Sequence, residues 1–515
     1  MTSFFQRPDA PRFPSLWKPL DAHRPPWPWA MLIALALAAQ GALIWTHAPW
    51  ADELQATALA RESHALADWY WNFRYEGHAP LWHLLLKIPL AFTDDTTALR
   101  IVQSAAALCG AALLHLRAPF TPAIKVLLSL NYFLFFEYGV IARDYSLTVL
   151  FFFAAVAFRR QPVAWLFIAL LPQGGLQSVL LAGICGLIVL REQGWRWGGV
   201  VLAGCGGVVA LIWIWPAPDF EALDTLRLAS PWHERLLLAV YRHGATLLPL
   251  DFDLQLTGWE LSKSAGLITL AGLCAPALAV GMIWRQSRFL ALLTGLFLLA
   301  NLAFSLHVYT FNARHFGLWN VLVIGLLWVT HKPGQTLGRL AQVWLVLLAL
   351  GGLGAGVQQA TRPFSAAPQA MAALREAGGA GKLIIPVNVL LGAEVNGLLR
   401  LPTFDMTGGC MQSFVRWRRP IFMGASWIAL DPERRKGDLA GGALAAMKAA
   451  AARAGGQALL LLDDEVGDLM AGIDDPALTQ LRFFAQGASR RQWRHIFALD
   501  VPPDPHPVPI PPCIR

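Results

Sequence analysis

Charge is what this sequence has least of. Only 14% of its 515 residues are Asp, Glu, Lys or Arg, against 56% hydrophobic, and mean hydropathy is +0.47. That balance excludes a soluble multidomain enzyme and describes a polytopic membrane protein. Cysteine is also scarce, six in all. Cys109, Cys185, Cys205 and Cys274 fall in apolar segments as small hydrophobes, and no pair has metal-type spacing. No small-residue cleavage site follows the first apolar run, Trp29 to Thr46, because the chain goes straight into His47-Ala48-Pro49-Trp50-Ala51-Asp52. That excludes a cleaved signal peptide and leaves an uncleaved first span behind a basic cytoplasmic tail, residues 1–28. No internal repeat is visible. The net charge of +8 is not a nucleic-acid footprint, since excess Lys and Arg in such a chain marks cytoplasmic loops.

Apolar runs follow at Ala98–Leu116, Ala123–Phe136, Tyr145–Phe158, Val163–Leu190, Trp197–Trp215, Ala265–Trp284, Phe289–His307, Phe316–Thr330 and Leu340–Val357. Leu81–Phe92 is too short to cross and reads as an interfacial helix. Val163–Leu190 is interrupted by Pro172-Gln173-Gly174-Gly175. Read as two helices meeting there, it puts Arg117, Lys125, Arg159, Arg160, Arg191, Arg196, Arg285, Arg288, Lys332 and Arg339 on one side, with Glu192 alone opposing them. That is the positive-inside pattern. The expectation is an all-α membrane domain, residues 29–357, of eleven spans, with the C-terminus outside the cytoplasm of a bacterial inner membrane. Residues 358–515 read as a small α/β domain with a largely parallel sheet and a Pro-rich tail. Within it, helices are expected over Ser365–Ala377, Val389–Leu399 and Ala440–Ala454, and strands over Lys382–Val387, Ala458–Leu462 and Trp493–Leu499. Cys410 and Cys513 would share an oxidising compartment, either bridged or as two independent thiols.

This topology gathers four polar clusters on the outer face. The long outer loop, residues 47–97, carries Asp52-Glu53 and then Glu76 and His78; the alternative is an interfacial loop anchored by its Trp and Tyr residues. Glu137 to Tyr145 holds Glu137, Arg143 and Asp144, more ionisable content than a turn between spans needs. Gln173 and Gln177 flank the Gly pair, where two amides could equally satisfy a broken helix. Arg314 and His315 open a span, where Arg314 could simply snorkel to the headgroups. Between Trp215 and Ala265 lies a loop of mixed charge, with an amphipathic helix expected over Glu234–Leu248. Charges in spans are costly, so their collection at one face points to a wet site. A carboxylate base beside phosphate-binding arginines there suits group transfer from a lipid phosphate.

The order of these features resembles the membrane glycosyltransferases of the GT-C fold. It is closest to the superfamily of dolichyl-phosphate-mannose:protein mannosyltransferases and aminoarabinose transferases. The match rests on Asp52-Glu53 after the first span, Ala79-Pro80-Leu81-Trp82 in EGHAPLWHLLL, LRIVQS entering the next span, and Arg143-Asp144-Tyr145-Ser146-Leu147. The chain has Gln173 and Gln177 where the family often carries a His. The resemblance implies transfer of a sugar from a polyprenyl-phosphate donor to a glycan, lipid or protein acceptor at the outer leaflet. It implies Asp52 as general base, with Glu53 supporting it or contacting the donor, and a lipid phosphate met by Arg143 and Arg314, with Tyr145 and His315 beside them. Glu76, His78, Glu137, Asp144 and Gln177 would shape the site, with Glu76, His78 and Asp144 the candidates for a divalent cation. Two competing readings are a lipid or glycan transporter, which would show mid-membrane ionisable pairs and repeated broken helices, and a non-catalytic envelope assembly protein.

Overall fold

The fold comes from a computed structural model that describes residues 26–218, 231–259, 261–309, 311–332, 335–417, 432–485, 487 and 492–513. Most of the expected cytoplasmic tail therefore lies outside the described residues, as do Asp219, Glu221, Asp224, Arg227 and Glu260 of the long loop. The chain opens with α1 (Trp27–Thr46), α2 (Ala51–Glu62), α3 (Leu66–Phe73), α4 (Leu81–Leu90), α5 (Asp95–Arg117) and α6 (Pro122–Ser129). It continues with α7 (Tyr145–Ala157), α8 (Ala164–Leu170), α9 (Leu176–Gln193) and α10 (Trp197–Ile214). Among the described residues, eight helices are long and apolar enough to cross a membrane: α1, α5, α9, α10, Ala265–Trp284, Arg288–His307, Ala313–Thr330 and Arg339–Thr361. These mark a multi-pass membrane protein. All eleven expected segments are helical, but three fall short of a bilayer: α6 with the π-helical turn Phe133–Glu137, α7, and α8 with its short 3-10 extension. The amphipathic helix of the long loop spans Trp232–Ala245.

The break expected at Pro172–Gly175 is present. A 3-10 turn over Leu171–Gly174 ends at Gly175, whose φ of 111° lies in the region that only glycine enters without strain. The irregular segment between α6 and α7 is held just as specifically. Gln40 of α1 donates to the carbonyls of Leu134 and Phe135 at 2.8 and 3.0 Å, and Gln103 of α5 donates to Tyr138 at 2.8 Å. In an apolar bundle, carbonyls left by a non-α turn need such partners. These two amides fix the backbone that delivers Glu137, Arg143 and Asp144.

After the last long helix come helix Ala367–Glu376, β1 (Leu383–Pro386), helix Val389–Leu398, and a small hairpin of β2 (Thr403–Asp405) and β3 (Cys410–Gln412). β4 (Gln457–Leu462), helix Asp464–Ala471, β5 (Leu478–Phe484) and β6 (Arg494–Asp500) complete the sheet region. The sheet order is β1-β4-β6-β5, with β1–β4 parallel and both other pairs antiparallel. The expectation of a largely parallel sheet is thus corrected. β5 was missing from it because its exposed edge breaks the apolar pattern, and it reverses the return of β6. Cys410 and Cys513 are bridged, Cα to Cα 4.9 Å, which ties the Pro-rich tail beside β3.

The sheet region packs back onto α2. Gly397 approaches Leu54 so closely that a Cβ would stand 2.7 Å from it. Gln55 makes two hydrogen bonds of 2.9 Å with the backbone of Val415. Asp95 accepts from Arg61 at 2.5 Å and from Arg400 at 2.9 Å. The helix that carries Asp52 is therefore clamped between the bundle and the sheet region.

Candidate active site

Asp52 stands in the first turn of α2, directly after the first long helix. Its Oδ2 accepts hydrogen bonds from two arginines: Arg143, just before α7, and Arg314, at the head of helix Ala313–Phe316, whose Nη2 is 3.0 Å away. All three side chains are largely buried, 19%, 12% and 12% exposed. The Arg314 guanidinium lies against two indoles that meet edge to face at 4.8 Å, its carbon 5.1 Å from the Trp50 ring and 5.5 Å from that of Trp259. This is cation–π stacking that fixes the plane of the fork. Its Nε–H is buried without an acceptor, and Tyr138 holds its backbone carbonyl at 2.6 Å.

A second layer backs Arg143. His78 Nε2 lies 3.4 Å from Arg143 Nη2, and His78 Nδ1 lies 3.0 Å from Asp144 Oδ2. The other Asp144 oxygen is buried and unpartnered. Gly175 closes this side: a Cβ there would stand 3.5 Å from Asp144 Oδ2, 3.8 Å from Gln177 Oε1 and 4.0 Å from His78 Nδ1. The helix break thus brings Gln177 up to the His78–Asp144 pair.

Burial pushes the Asp52 carboxyl up, but the charges of Arg143 and Arg314 outweigh it and hold the group below its ordinary range. Asp144 is likewise buried, and His78 followed by Arg143 hold it low. Arg143 is raised above its usual value, because Asp52 and Asp144 outweigh its own desolvation. Glu76 behaves in the opposite way. Burial raises it to about 7 despite a hydrogen bond from Gln55.

Other expected site residues have different places. Glu53 is fully buried and its oxygens are occupied: Oε2 accepts from His47 at 2.9 Å and from the Trp50 N–H at 3.0 Å, and Oε1 accepts from the Ala142 N–H at 2.6 Å. It fastens the start of α2, which carries Asp52, to the Arg143 loop. Glu137 is buried too, accepting from Tyr132 at 2.8 Å and from Trp259 at 3.1 Å. It anchors the indole beneath Arg314. His315 caps its own helix, its Nδ1 accepting from the Asn312 N–H at 2.9 Å. Its ring sits edge-on to Tyr145, 6.0 Å away, and Tyr145 stacks on Tyr138 at 5.3 Å. Both belong to the ring layer of Tyr138, whose hydroxyl holds the Arg314 carbonyl.

Glu76, His78 and Asp144 do not gather as a metal-ligand set. His78 faces Asp144, whereas Glu76 turns to Gln55, and among the described residues three-ligand groups occur only elsewhere. Trp50, Gln55 and Trp259 had no signal in the sequence. Their roles follow from being folded around Arg314 and Glu76. Between α1 and helix Arg339–Thr361 runs a groove of about 700 Å3, lined by Leu43, Phe135, Val357, Gln359 and Arg362 among others. Its lining ends at Pro363, and the next residue, Phe364, packs on Trp259 at 4.9 Å. No family model, curated protein or solved structure matches the chain.

Proposed function

We propose that this chain is an integral-membrane glycosyltransferase. It moves a sugar from a polyprenyl-phosphate-linked donor to an acceptor hydroxyl on the non-cytoplasmic face of a bacterial inner membrane. The observation that carries the reading is one carboxylate, Asp52, shared by Arg143 and Arg314. Two guanidiniums aimed at one point suit a phosphate, which can accept from both forks. The unpartnered Arg314 Nε–H supplies a further donor.

The mechanism follows from competition. An incoming lipid phosphate takes the arginine N–H groups that Asp52 holds at rest. Losing those partners removes what depresses the Asp52 pKa, so the carboxylate becomes a better base as the donor binds. It takes the proton of the acceptor hydroxyl while that oxygen attacks the anomeric carbon. The bond from that carbon to the phosphate oxygen breaks, and its electron pair stays on the polyprenyl phosphate, where Arg143 and Arg314 meet the charge. One base opposite the leaving group implies inversion at the sugar carbon. His78 and Asp144 hold Arg143 in place, and Glu53 positions the two segments. The groove between α1 and helix Arg339–Thr361 offers the prenyl chain an apolar path ending at Arg362 and Pro363. The Cys410–Cys513 bridge is in keeping with an oxidising compartment for the sheet region.

The test compares lipid extracts of cells expressing the wild type or Asp52→Asn at equal level. Accumulated polyprenyl-phosphate sugar and unmodified acceptor are expected in the variant. Identical pools in the two strains would end the proposal.

A further inference from the structure

The geometry points to a divalent-cation site of zinc or manganese type in the sheet region, formed by Asp464, Asp468 and His495. It is independent of sugar transfer. Asp463 caps helix Asp464–Ala471 by accepting from the Val466 N–H at 3.1 Å. Asp464 and Asp468, four residues apart, then lie on one face of that helix. His495 comes from the central strand β6, paired with Leu462 of β4 on one side and Phe483 of β5 on the other.

Gly467 makes the meeting possible. A Cβ there would fall 2.2 Å from His495 Cδ2, so the imidazole lies flat against the helix between the two aspartates only because position 467 has no side chain. Phe483, 4.2 Å from the imidazole centroid, fixes the ring from the other side. The residue is 2% exposed, yet its Nε2 has no hydrogen-bond partner. That nitrogen stands 3.8 Å from Oδ1 of Asp464 and 3.8 Å from Oδ1 of Asp468. The three ligand atoms all lie within 4.8 Å of one another.

Ligands around a tetrahedral zinc at ~2.0 Å stand roughly 3.3 Å apart. The aspartates need to close by about 0.5 Å on His495 and by no more than about 1.5 Å on each other. Asp468 is 73% exposed and can make that movement. The other ring nitrogen, Nδ1, is 3.1 Å from the Gln480 side-chain amide. A half-turn of that amide presents its carbonyl to Nδ1–H and leaves the Nε2 lone pair for a metal, the usual second-layer arrangement around a ligating histidine. One imidazole and two carboxylates suit zinc or manganese. Calcium wants six or more oxygens, and magnesium keeps mostly water.

The experiment uses the full-length protein in detergent, stripped with chelator and re-equilibrated with Zn2+ or Mn2+. Bound metal per chain is counted by mass spectrometry, and affinity is measured by competition with a chromophoric chelator. The expected result is one equivalent bound to the wild type and to Asp52→Asn alike, with affinity falling at least ~100-fold in Asp468→Ala. Asp468 is exposed, so that variant keeps its fold, and an unchanged melting temperature of its metal-free form verifies this. A wild type that binds neither metal overturns the site. Binding of equal stoichiometry and affinity in Asp468→Ala and Asp464→Asn overturns it as well.

Discussion

Arg314 and Asp52 are 262 positions apart in sequence, and their Nη2 and Oδ2 atoms meet at 3.0 Å. Arg143 reaches the same oxygen from a third segment. A charged triad of this kind, partly buried beside membrane helices, is costly unless each charge is answered. Here each is, in a way a phosphate could take over.

The two ends of this contact are expected to fail differently. Asp52→Asn keeps the shape and removes the base, so turnover falls by roughly 10²–10⁴ while donor affinity holds or rises, because the arginines are released. Arg314→Ala weakens donor binding instead. Arg314→Lys does not rescue it, since an ammonium has no planar face for Trp50 and Trp259 and no fork for a phosphate. Separate measurement of donor Kd and single-turnover rate distinguishes these outcomes; equal loss of both in all three variants would contradict the assignment.

Glu76 provides a pH signature. Its folded-state pKa is raised by burial from 4.5 to about 7, so the folded protein holds this proton more tightly than the unfolded chain. The stability it contributes is fully present below about 4.5 and is lost as pH rises through about 7. The change amounts to about 3 kcal/mol at most. Apparent melting temperatures of wild type and Glu76→Gln between pH 4.5 and 8 should diverge, with the wild type losing more as pH increases. Parallel curves would show that Glu76 does not titrate there.

The bridge between Cys410 and Cys513 leaves Cys109, Cys185, Cys205 and Cys274 as free thiols. Denatured, unreduced protein should therefore titrate as four thiols of the six cysteines. Reduction, or Cys513→Ser, opens a loop spanning 103 positions, worth up to ~4.7 kcal/mol in the chain-entropy description. Six reactive thiols in freshly purified protein would rule the bridge out.

The sheet region also depends on a buried ion pair. Glu394, in helix Val389–Leu398, accepts from Arg494 Nε at 2.8 Å and from its Nη2, with side chains 0% and 2% exposed. Glu394→Ala strands a buried guanidinium and should cost ~3–5 kcal/mol. The double variant Glu394→Leu with Arg494→Met should lose much less, because it removes both charges. Thermal unfolding monitored by proteolysis of the sheet region measures the difference.

The expectation that this region lies outside the cytoplasm is testable by labelling. Ala454, exposed after helix Leu444–Arg453, carries a Cys reporter for a membrane-impermeant thiol reagent. In outer-membrane-permeabilised intact cells it should react; reaction only after lysis would reverse the topology on which the outer-face site rests.

Much of the architecture is written in local chemistry. Twenty-odd apolar residues cannot avoid a membrane-spanning helix, and Pro172 to Gly175 cannot continue one, so helix positions and the break at Gly175 are legible from composition and backbone preference alone. The pairing of Cys410 with Cys513 was one of two open alternatives, and the fold chose between them by bringing β3 and the tail together. Neighbours decided what adjacent letters could not. Asp52 and Glu53 are two acids side by side in sequence, but the helix turns them about 100° apart, one towards two arginines and the other into the backbone of Ala142. Glu76 is half-buried and Asp144 buried, yet the first has an amide for a partner and is raised to about 7, while the other faces a histidine and an arginine and is held low. Strand direction was equally beyond the sequence, because β5 is an exposed edge whose apolar pattern is too weak to announce it. Helix and strand follow from each residue's own preferences; protonation, pairing and the convergence of Asp52, Arg143 and Arg314 depend on groups from 21 to 262 positions away, and only the folded chain decides those.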